Sequence, residues 1–357
     1  MYISYVANQM LRVRVGLKRK SLQWLSKSKD STTSIRASEQ PAGVFSDVIE
    51  EYSRNEVFTA FDPRINNSEG HFFNYRNVFR LKNVLLEPRQ GLVYDHNGRL
   101  LKESSCWSSE KIFASFPWRP RYISRLKELD HAIFITSNSY WHWLIEDLAT
   151  TILSIDTDPN SPILVASNPP KYVLDFLDLQ NRRVIFLDRP IRLKSLVMVE
   201  KRQDSGWPHP RDIEILIAYK PFQEARDPSD PVKKIYISRR YSKRSPKNEN
   251  QIEEYFASIG FQIVELEKLN LLEEIELISS AKVLAGIHGA GLANQVWMKE
   301  GGVIIDIVNE KYWTESIFRL AALTKNKYVP IPFNLTSKGE VPLPTIIQGV
   351  NDCLKLI

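Results

Sequence analysis

The sequence predicts an α/β protein whose last third is a doubly wound parallel sheet, and three observations carry that prediction. Between residues 234 and 331, five short apolar runs alternate with amphipathic stretches at helical spacing, and strands joined one after another by helices lie parallel. A looser strand and helix rhythm runs from 132 to 199. The 357 residues are 43% hydrophobic and 25% charged, which fits an ordinary globular chain of about two domains rather than a disordered or fibrous one.

Taken in order, residues 1–40 hold eight Lys/Arg against Asp30 and Glu39, which accounts for the whole net charge of +6. The rest of the chain is balanced, so a nucleic-acid partner is not expected. Ile3, Val6, Met10, Val13, Leu17 and Trp24 recur at helical spacing among those basic residues. This pattern fits a basic amphipathic helix in peripheral contact with an anionic membrane through residues 1–29, and a partly disordered tail or a helix packed on the body is the plainer alternative. No uninterrupted apolar run precedes the basic residues, so a secretory signal is not expected, and no run is long enough to span a bilayer. Two cysteines, Cys106 and Cys353, cannot build a disulfide framework or a structural zinc site. A reducing, cytoplasmic setting follows, with any membrane contact at the inner face.

From 72 to 104 the pattern is that of short antiparallel strands, with Asn97-Gly98 as a hairpin turn. Strands are predicted over 132–136, 163–166, 184–187 and 196–199, and helices over 140–155, 172–179 and 211–225. Asp227-Pro228-Ser229-Asp230-Pro231 marks the main boundary. Beyond it, strands at 234–238, 262–266, 283–286, 303–308 and 328–331 enclose helices at 249–259, 271–279, 292–298 and 315–323. The helix at 249–259 carries Ile252, Tyr255, Phe256 and Ile259 on one face. A last helix is expected over 345–356, with no docking partner legible. The domains read as 1–40, a basic tail; 41–226, an α/β domain with β-hairpins; 227–332, a Rossmann-like domain; and 333–357, an extension with a helix.

In an open α/β sheet, ligands bind beyond the carboxyl ends of the strands. Gly286-Ile287-His288-Gly289-Ala290-Gly291-Leu292 leaves such a strand and enters a helix. Glycines let backbone amides approach a ligand, and a helix N-terminus favours an anion such as phosphate; a tight turn with a structural His fits the same residues. Ser238-Arg239-Arg240 ends another strand of the same half, where an arginine fork suits a diphosphate and a solvated basic loop is the plainer alternative. Asp306, near the end of the strand at 303–308, could accept from ribose hydroxyls or be structural. In the first half, His142 and Glu146 stand one helical turn apart beside an apolar stripe of Trp141, Ile145, Leu148, Ile152 and Ile155. Either could act as general base with the other fixing its orientation, and a structural pair fits as well. Asp156-Thr157-Asp158 is a nominal metal-binding spacing that reads better as a turn. Sequons at Asn66 and Asn334 matter only in a secreted protein. No HExxH, P-loop, GxSxG or paired-Cys pattern occurs, which sets aside zinc proteases, Walker-type NTPases and serine hydrolases.

Together, Trp141-His142-Trp143-Leu144-Ile145-Glu146, Tyr236-Ile237-Ser238-Arg239-Arg240, His288-Gly289-Ala290-Gly291-Leu292 with Asn294, and Val303-Ile304-Ile305-Asp306 resemble glycosyltransferase family 61 in order and spacing over about residues 75 to 332. The family includes plant xylosyltransferases, animal O-linked N-acetylglucosaminyltransferases and bacterial polysaccharide-biosynthesis proteins. The resemblance implies a GT-B-like architecture, two Rossmann-like domains facing a cleft, here with a small β-rich N-terminal element. It implies an inverting hexosyl- or pentosyltransferase, active in polysaccharide biosynthesis, that takes a nucleotide-sugar donor, a UDP-sugar first, to a glycan or lipid-linked acceptor. No cofactor is implied, since arginine, histidine and helix-end amides can stabilise the leaving group without a metal. Carried over residue by residue, Arg239 and Arg240 lie near the diphosphate, His288, Gly289, Ala290 and Gly291 around it with Asn294, and Asp306, where the family usually has Glu, near the ribose. Glu146 is the first candidate for the base and His142 the second. The alternative is a non-catalytic nucleotide-sugar or glycan-binding protein on the same scaffold. A Rossmann oxidoreductase is the weakest reading, because the GxGxxG fingerprint is missing.

Overall fold

The computed structural model describes residues 77–104, 125–136, 139–201, 206–227, 229–312 and 314–355, together with the backbone of β1 (Ser34–Ile35), β2 (Phe45–Glu51), β3 (Glu56–Phe58) and β4 (His71–Phe73). The basic stretch 1–29, Cys106 and the Asn66 sequon lie outside the described residues. No helix among the described residues is long and apolar enough to cross a membrane.

Two main sheets organise the chain. The first contains β5 (Asn77–Glu87), β6 (Leu92–Tyr94), β7 (Leu100–Leu101), β8 (Glu128–Ile135), β9 (Ile163–Ala166), β10 (Val184–Leu187) and β11 (Ile191–Val199). Its order is β1-β7-β6-β5-β11-β8-β9-β10, with β2 also paired to β5. The β6 to β7 connection is the expected Asn97-Gly98 turn, with Gly98 at φ +81°. The Asp95 carboxylate closes it by accepting the N–H groups of Asn97 (2.9 Å) and Arg99 (2.8 Å). Helices then allow parallel pairing of β8, β9 and β10. β11 returns between β8, to which it is parallel, and β5, to which it is antiparallel. The first half is therefore mixed, its hairpins and its helix-linked strands sharing one sheet.

The second sheet is simpler: β12 (Lys233–Ile237), β13 (Gln262–Val264), β14 (Ala281–Ile287), β15 (Val303–Asn309) and β16 (Lys327–Phe333), all parallel, in the order β13-β12-β14-β15-β16. Strand alternation sends successive side chains to opposite faces. Ile235, Ile237, Leu284 and Ile304 join the core facing the first half, whereas Tyr236, Ala285 and Ile305 pack on the other face. That outer face is covered by α5 (Glu249–Ser258) through Ile252 and Phe256, and by α8 (Leu343–Leu354) through Ile346, Val350 and Cys353. The last helix thus docks on the second sheet.

On the inner face, the helix at 140–157 (α1), α2 (Lys171–Asp178), α3 (Pro210–Ala218), α4 (Lys220–Ala225), α6 (Leu271–Ser279) and a 3-10 helix at Ala290–Trp297 contribute to one continuous apolar layer joining the halves. Phe222 of α4 meets Trp297 edge-on at 5.2 Å, both wholly buried. α7 (Ser316–Leu323) extends the layer with Ile317 and Leu320.

Two predicted helices differ in form. The one expected over 211–225 breaks at Tyr219, which is extended (ψ 118°), because the Pro221 ring in a continuous helix would clash with the carbonyl four residues earlier. The one expected over 292–298 is the 3-10 helix, eight residues long, where such runs rarely exceed four.

Candidate active site

In the second sheet the strand order reverses between β12 and β14, and both conspicuous motifs leave the carboxyl ends of those two strands. The fold rule for open α/β sheets places a ligand at that crevice. The Gly289, Ala290 and Gly291 N–H groups precede the first bond of the 3-10 helix, which runs from Leu292 N–H to Gly289 O (3.1 Å). Arg239 lies against this turn: Nη1 donates to His288 O (2.6 Å) and Nη2 to Ser242 Oγ (3.0 Å). A Cβ at Gly289 would come within 3.1 Å of the guanidinium, so glycine is what lets the arginine lie so close.

Two acids of α5 hold the arginine loop from below. Glu249 accepts the Arg239 N–H (2.8 Å) and the Tyr236 hydroxyl (3.1 Å), and burial raises its pKa. Glu253 accepts the Ser238 hydroxyl (2.6 Å) and pairs with the Arg240 guanidinium. The two arginines consequently diverge. Arg239 stays at the glycine turn, where burial and then neighbouring Arg244 pull its pKa down. Arg240, exposed, turns to Glu253 and lines an open groove with Gln262, Val264 and Lys268. Only one of the two predicted diphosphate ligands is brought to the turn.

His288 is 6% exposed. Its Nδ1 meets Asp306 Oδ2 at 2.9 Å and its Nε2 meets Thr314 Oγ1 at 3.3 Å. A carboxylate only accepts, so the ring proton sits on Nδ1. Asp306 is wholly buried and also accepts from the Tyr328 hydroxyl (2.9 Å). Asp306, expected near the ribose, is held here inside the protein, where its Oδ2 engages His288 and Tyr328. Asn294 is likewise wholly buried: Oδ1 accepts from the Tyr140 hydroxyl (2.9 Å) and Nδ2 donates to Gly291 O (3.1 Å). Its amide braces the turn from inside the protein rather than meeting a ligand.

The other motif opens α1. Residues Trp143–Asp147 form a π-helical turn inside that helix, an irregularity common at functional sites. His142 Nδ1 and Glu146 Oε1 are 2.8 Å apart. Glu146 Oε1 also accepts the Gly206 N–H (2.6 Å), and Gly206 O accepts from the Trp141 indole (3.1 Å). Gly206 needs its φ of +103° to be gripped from both sides. The Glu146 side chain is 11% exposed and that of His142 39%. The bond to Glu146 raises the His142 pKa, against burial, which lowers it.

Two links bring the motifs together. The Tyr140 hydroxyl reaches Asn294 and Glu274 Oε2 (2.6 Å), tying α1 to the 3-10 helix and α6. Trp207, next to Gly206, stacks on the Arg319 guanidinium (4.4 Å), which pairs with Glu315 (2.7 Å), the neighbour of Thr314. The Asp156-Thr157-Asp158 spacing lies apart from this arrangement, and Asp158 is bonded to Arg80 (3.2 Å).

Sequence reasoning missed Tyr140, Gly206, Glu249, Glu253, Glu274 and Thr314. Glu249 and Glu253 stand at i, i+4 beside the apolar face of α5, a detectable signal; Glu274 follows the capping-box Glu273 and looks equally solvated.

Residues 140–305 match the family model for Glycosyltransferase 61. The span opens on Tyr140, contains the His142 and Glu146 pair, both arginines and the glycine turn, and closes one residue before Asp306. The match, over just under half of the chain, supports its assignment to glycosyltransferase family 61 and glycosyl transfer as its general class of activity. No curated protein matches the chain.

Proposed function

We propose that the protein transfers a hexosyl or pentosyl unit from a nucleotide-sugar, a UDP-sugar first, to a hydroxyl of a glycan or lipid-linked acceptor in polysaccharide biosynthesis, by an inverting, metal-independent displacement. Arg239 carries the reading. Among the described residues its half-buried guanidinium is hydrogen-bonded to two neutral acceptors, His288 O and Ser242 Oγ, beside Arg244 and the leading amides of the glycine turn, with Glu249 nearby at its backbone. Positive charge at a strand-end crevice is what a departing nucleotide diphosphate requires. The reading takes the two sheets as the Rossmann-like halves of a GT-B frame, with the reacting groups at the mouth between α1 and the glycine turn.

His142 is assigned as the base ahead of Glu146. The His142 side chain is 39% exposed against 11% for Glu146, whose Oε1 faces both His142 and Gly206, and with Nδ1 facing Glu146 the reading gives the proton-accepting role to Nε2. The acceptor oxygen bonds to the anomeric carbon as its proton passes to Nε2. The bond from that carbon to the diphosphate oxygen breaks, and its electron pair leaves with the nucleotide. Glu146 steadies the imidazolium; Asp306 acts through His288, and Asn294 through the turn. The protein is placed in the cytoplasm, and the alternation of basic and apolar residues over 1–29 supports peripheral contact with the inner face of the membrane.

Thermal shift with UDP, GDP, CMP and NAD, each with and without EDTA, tests the donor reading on the wild type and Arg239→Ala. A matched nucleotide at a hundredfold excess over its Kd stabilises the chain by about 2.7 kcal/mol. One nucleoside diphosphate should raise the melting temperature, with no effect of EDTA and loss in Arg239→Ala. No shift with any nucleotide would favour a glycan-binding protein instead.

A further inference from the structure

Glu274 on α6 takes no part in the displacement described above, yet it is 7% exposed and bonded across the chain to Tyr140. Counting hydrogens at this junction gives a definite answer. The Tyr140 hydroxyl has one hydrogen and two neighbours placed as acceptors, Glu274 Oε2 at 2.6 Å and Asn294 Oδ1 at 2.9 Å. The Asn294 amide cannot be turned over without cost, because Nδ2 donates to Gly291 O at 3.1 Å and a flip would set two acceptors face to face. An ionised Glu274 would take the Tyr140 hydrogen and leave the buried Asn294 Oδ1 facing a lone pair. A protonated Glu274 satisfies every group: its O–H donates to the Tyr140 oxygen, and the Tyr140 hydrogen goes to Asn294.

We infer that Glu274 is protonated in the folded protein on the acid side of neutrality and that Glu274, Tyr140 and Asn294 then form a strut that registers α1, with its His142 and Glu146, against the glycine turn. Tyr140 and Glu274 are thus positioning residues. The consequence for sugar transfer rests on the function proposed above, whereas the strut itself does not. The groups facing Glu274 agree. Tyr140 comes from α1 and Asn294 from the 3-10 helix; α2 supplies Lys171 and Asp175, and Glu267 precedes α6. Lys171 is already engaged by Asp175 (2.8 Å) and Leu269 O (2.6 Å). Burial, aided by Asp175 and Glu267, raises the carboxyl to about 7 against the opposing pull of Tyr140 and Lys171. Burial also holds the Tyr140 hydroxyl neutral, well above its ordinary pKa.

The sign of the linkage follows. A carboxyl with a raised folded pKa contributes stability that is complete below its unfolded value, near 4.5, and is lost as pH rises through about 7. Glu274→Gln, whose amide can donate to Tyr140 at every pH, should remove that loss.

Infrared difference spectra between pH 6 and pH 8, with hydrogen exchange of segment 290–297 at both, test the strut on the full chain without any nucleotide. The wild type should show a protonated-carboxyl band at pH 6 that disappears by pH 8. The band should be missing in Glu274→Gln and shifted in Tyr140→Phe, which removes its hydrogen-bond acceptor. Exchange of 290–297 should match between wild type and Glu274→Gln at pH 6, and be about tenfold faster in the wild type at pH 8. A band that persists unchanged in both variants, or equal exchange at pH 8, would overturn the inference. Because no nucleotide is used, failure of the donor reading would show in the thermal-shift series and leave these outcomes unaltered.

Discussion

In the second half, the candidate ligand groups are placed by strand ends: an arginine loop and a glycine turn leave adjacent parallel strands where the order reverses, anchored by Glu249, Glu253 and Asp306. In the first half they are side chains of one helix, His142 and Glu146, oriented by a π turn and by a grip on Gly206 across 60 residues of chain. A strand-end site inherits its geometry from the sheet, and its tolerance for change lies in which side chains surround it. A helix-borne pair depends on distant partners, so its roles are settled only when those partners are seen. This contrast explains why the glycine turn falls at its expected place in the fold while the order of preference between Glu146 and His142 is reversed in the proposed reaction.

The largest effect expected on the helix-borne side is that of His142→Ala. Removing a general base typically costs about 10²- to 10⁴-fold in rate, so turnover should collapse while nucleotide-induced thermal shifts persist; equal turnover would return the base to Glu146. Next in size is a change that tests whether the halves are independent. Phe222→Ala, at the apolar junction with Trp297, should cost about 3–5 kcal/mol in urea unfolding and leave one cooperative transition. Two separate transitions would show that the shared layer does not couple them. A smaller effect is the pH course of Glu146→Gln. Glu146 raises the His142 pKa, so its loss should move the acid limb of the rate profile to lower pH, and an unmoved limb would remove His142 from the titration.

Much of the fold is legible because its periodicities are strong. Strands β9 and β10 fall on the residues expected, and the parallel order of the second sheet follows from its helix-linked strands. The mixed first sheet is less legible, since nothing local tells β11 to insert between β5 and β8. Of the candidate site, the structure puts Arg239 and His288 at the strand-end turn and pairs His142 with Glu146. Arg240, Asp306 and Asn294 show what spacing alone conceals: adjacent arginines part company because Glu253 draws one away, and a polar residue in a motif can be wholly enclosed by long-range partners such as Tyr328 and Tyr140. The same long-range contacts hide Glu274, whose environment comes from α1 and from the segment after β14.

Calorimetric titration of UDP into the full chain, comparing Arg239→Ala with Arg240→Ala, tests the central claim most directly. The two residues are sequence neighbours of the same type, and the structure places only Arg239 at the glycine turn. Losing the charge-assisted contact should weaken UDP by about 1.5–3 kcal/mol in Arg239→Ala, with Arg240→Ala close to wild type. Equal loss in both variants, or loss in Arg240→Ala alone, would contradict the assignment of the diphosphate to the His288 turn.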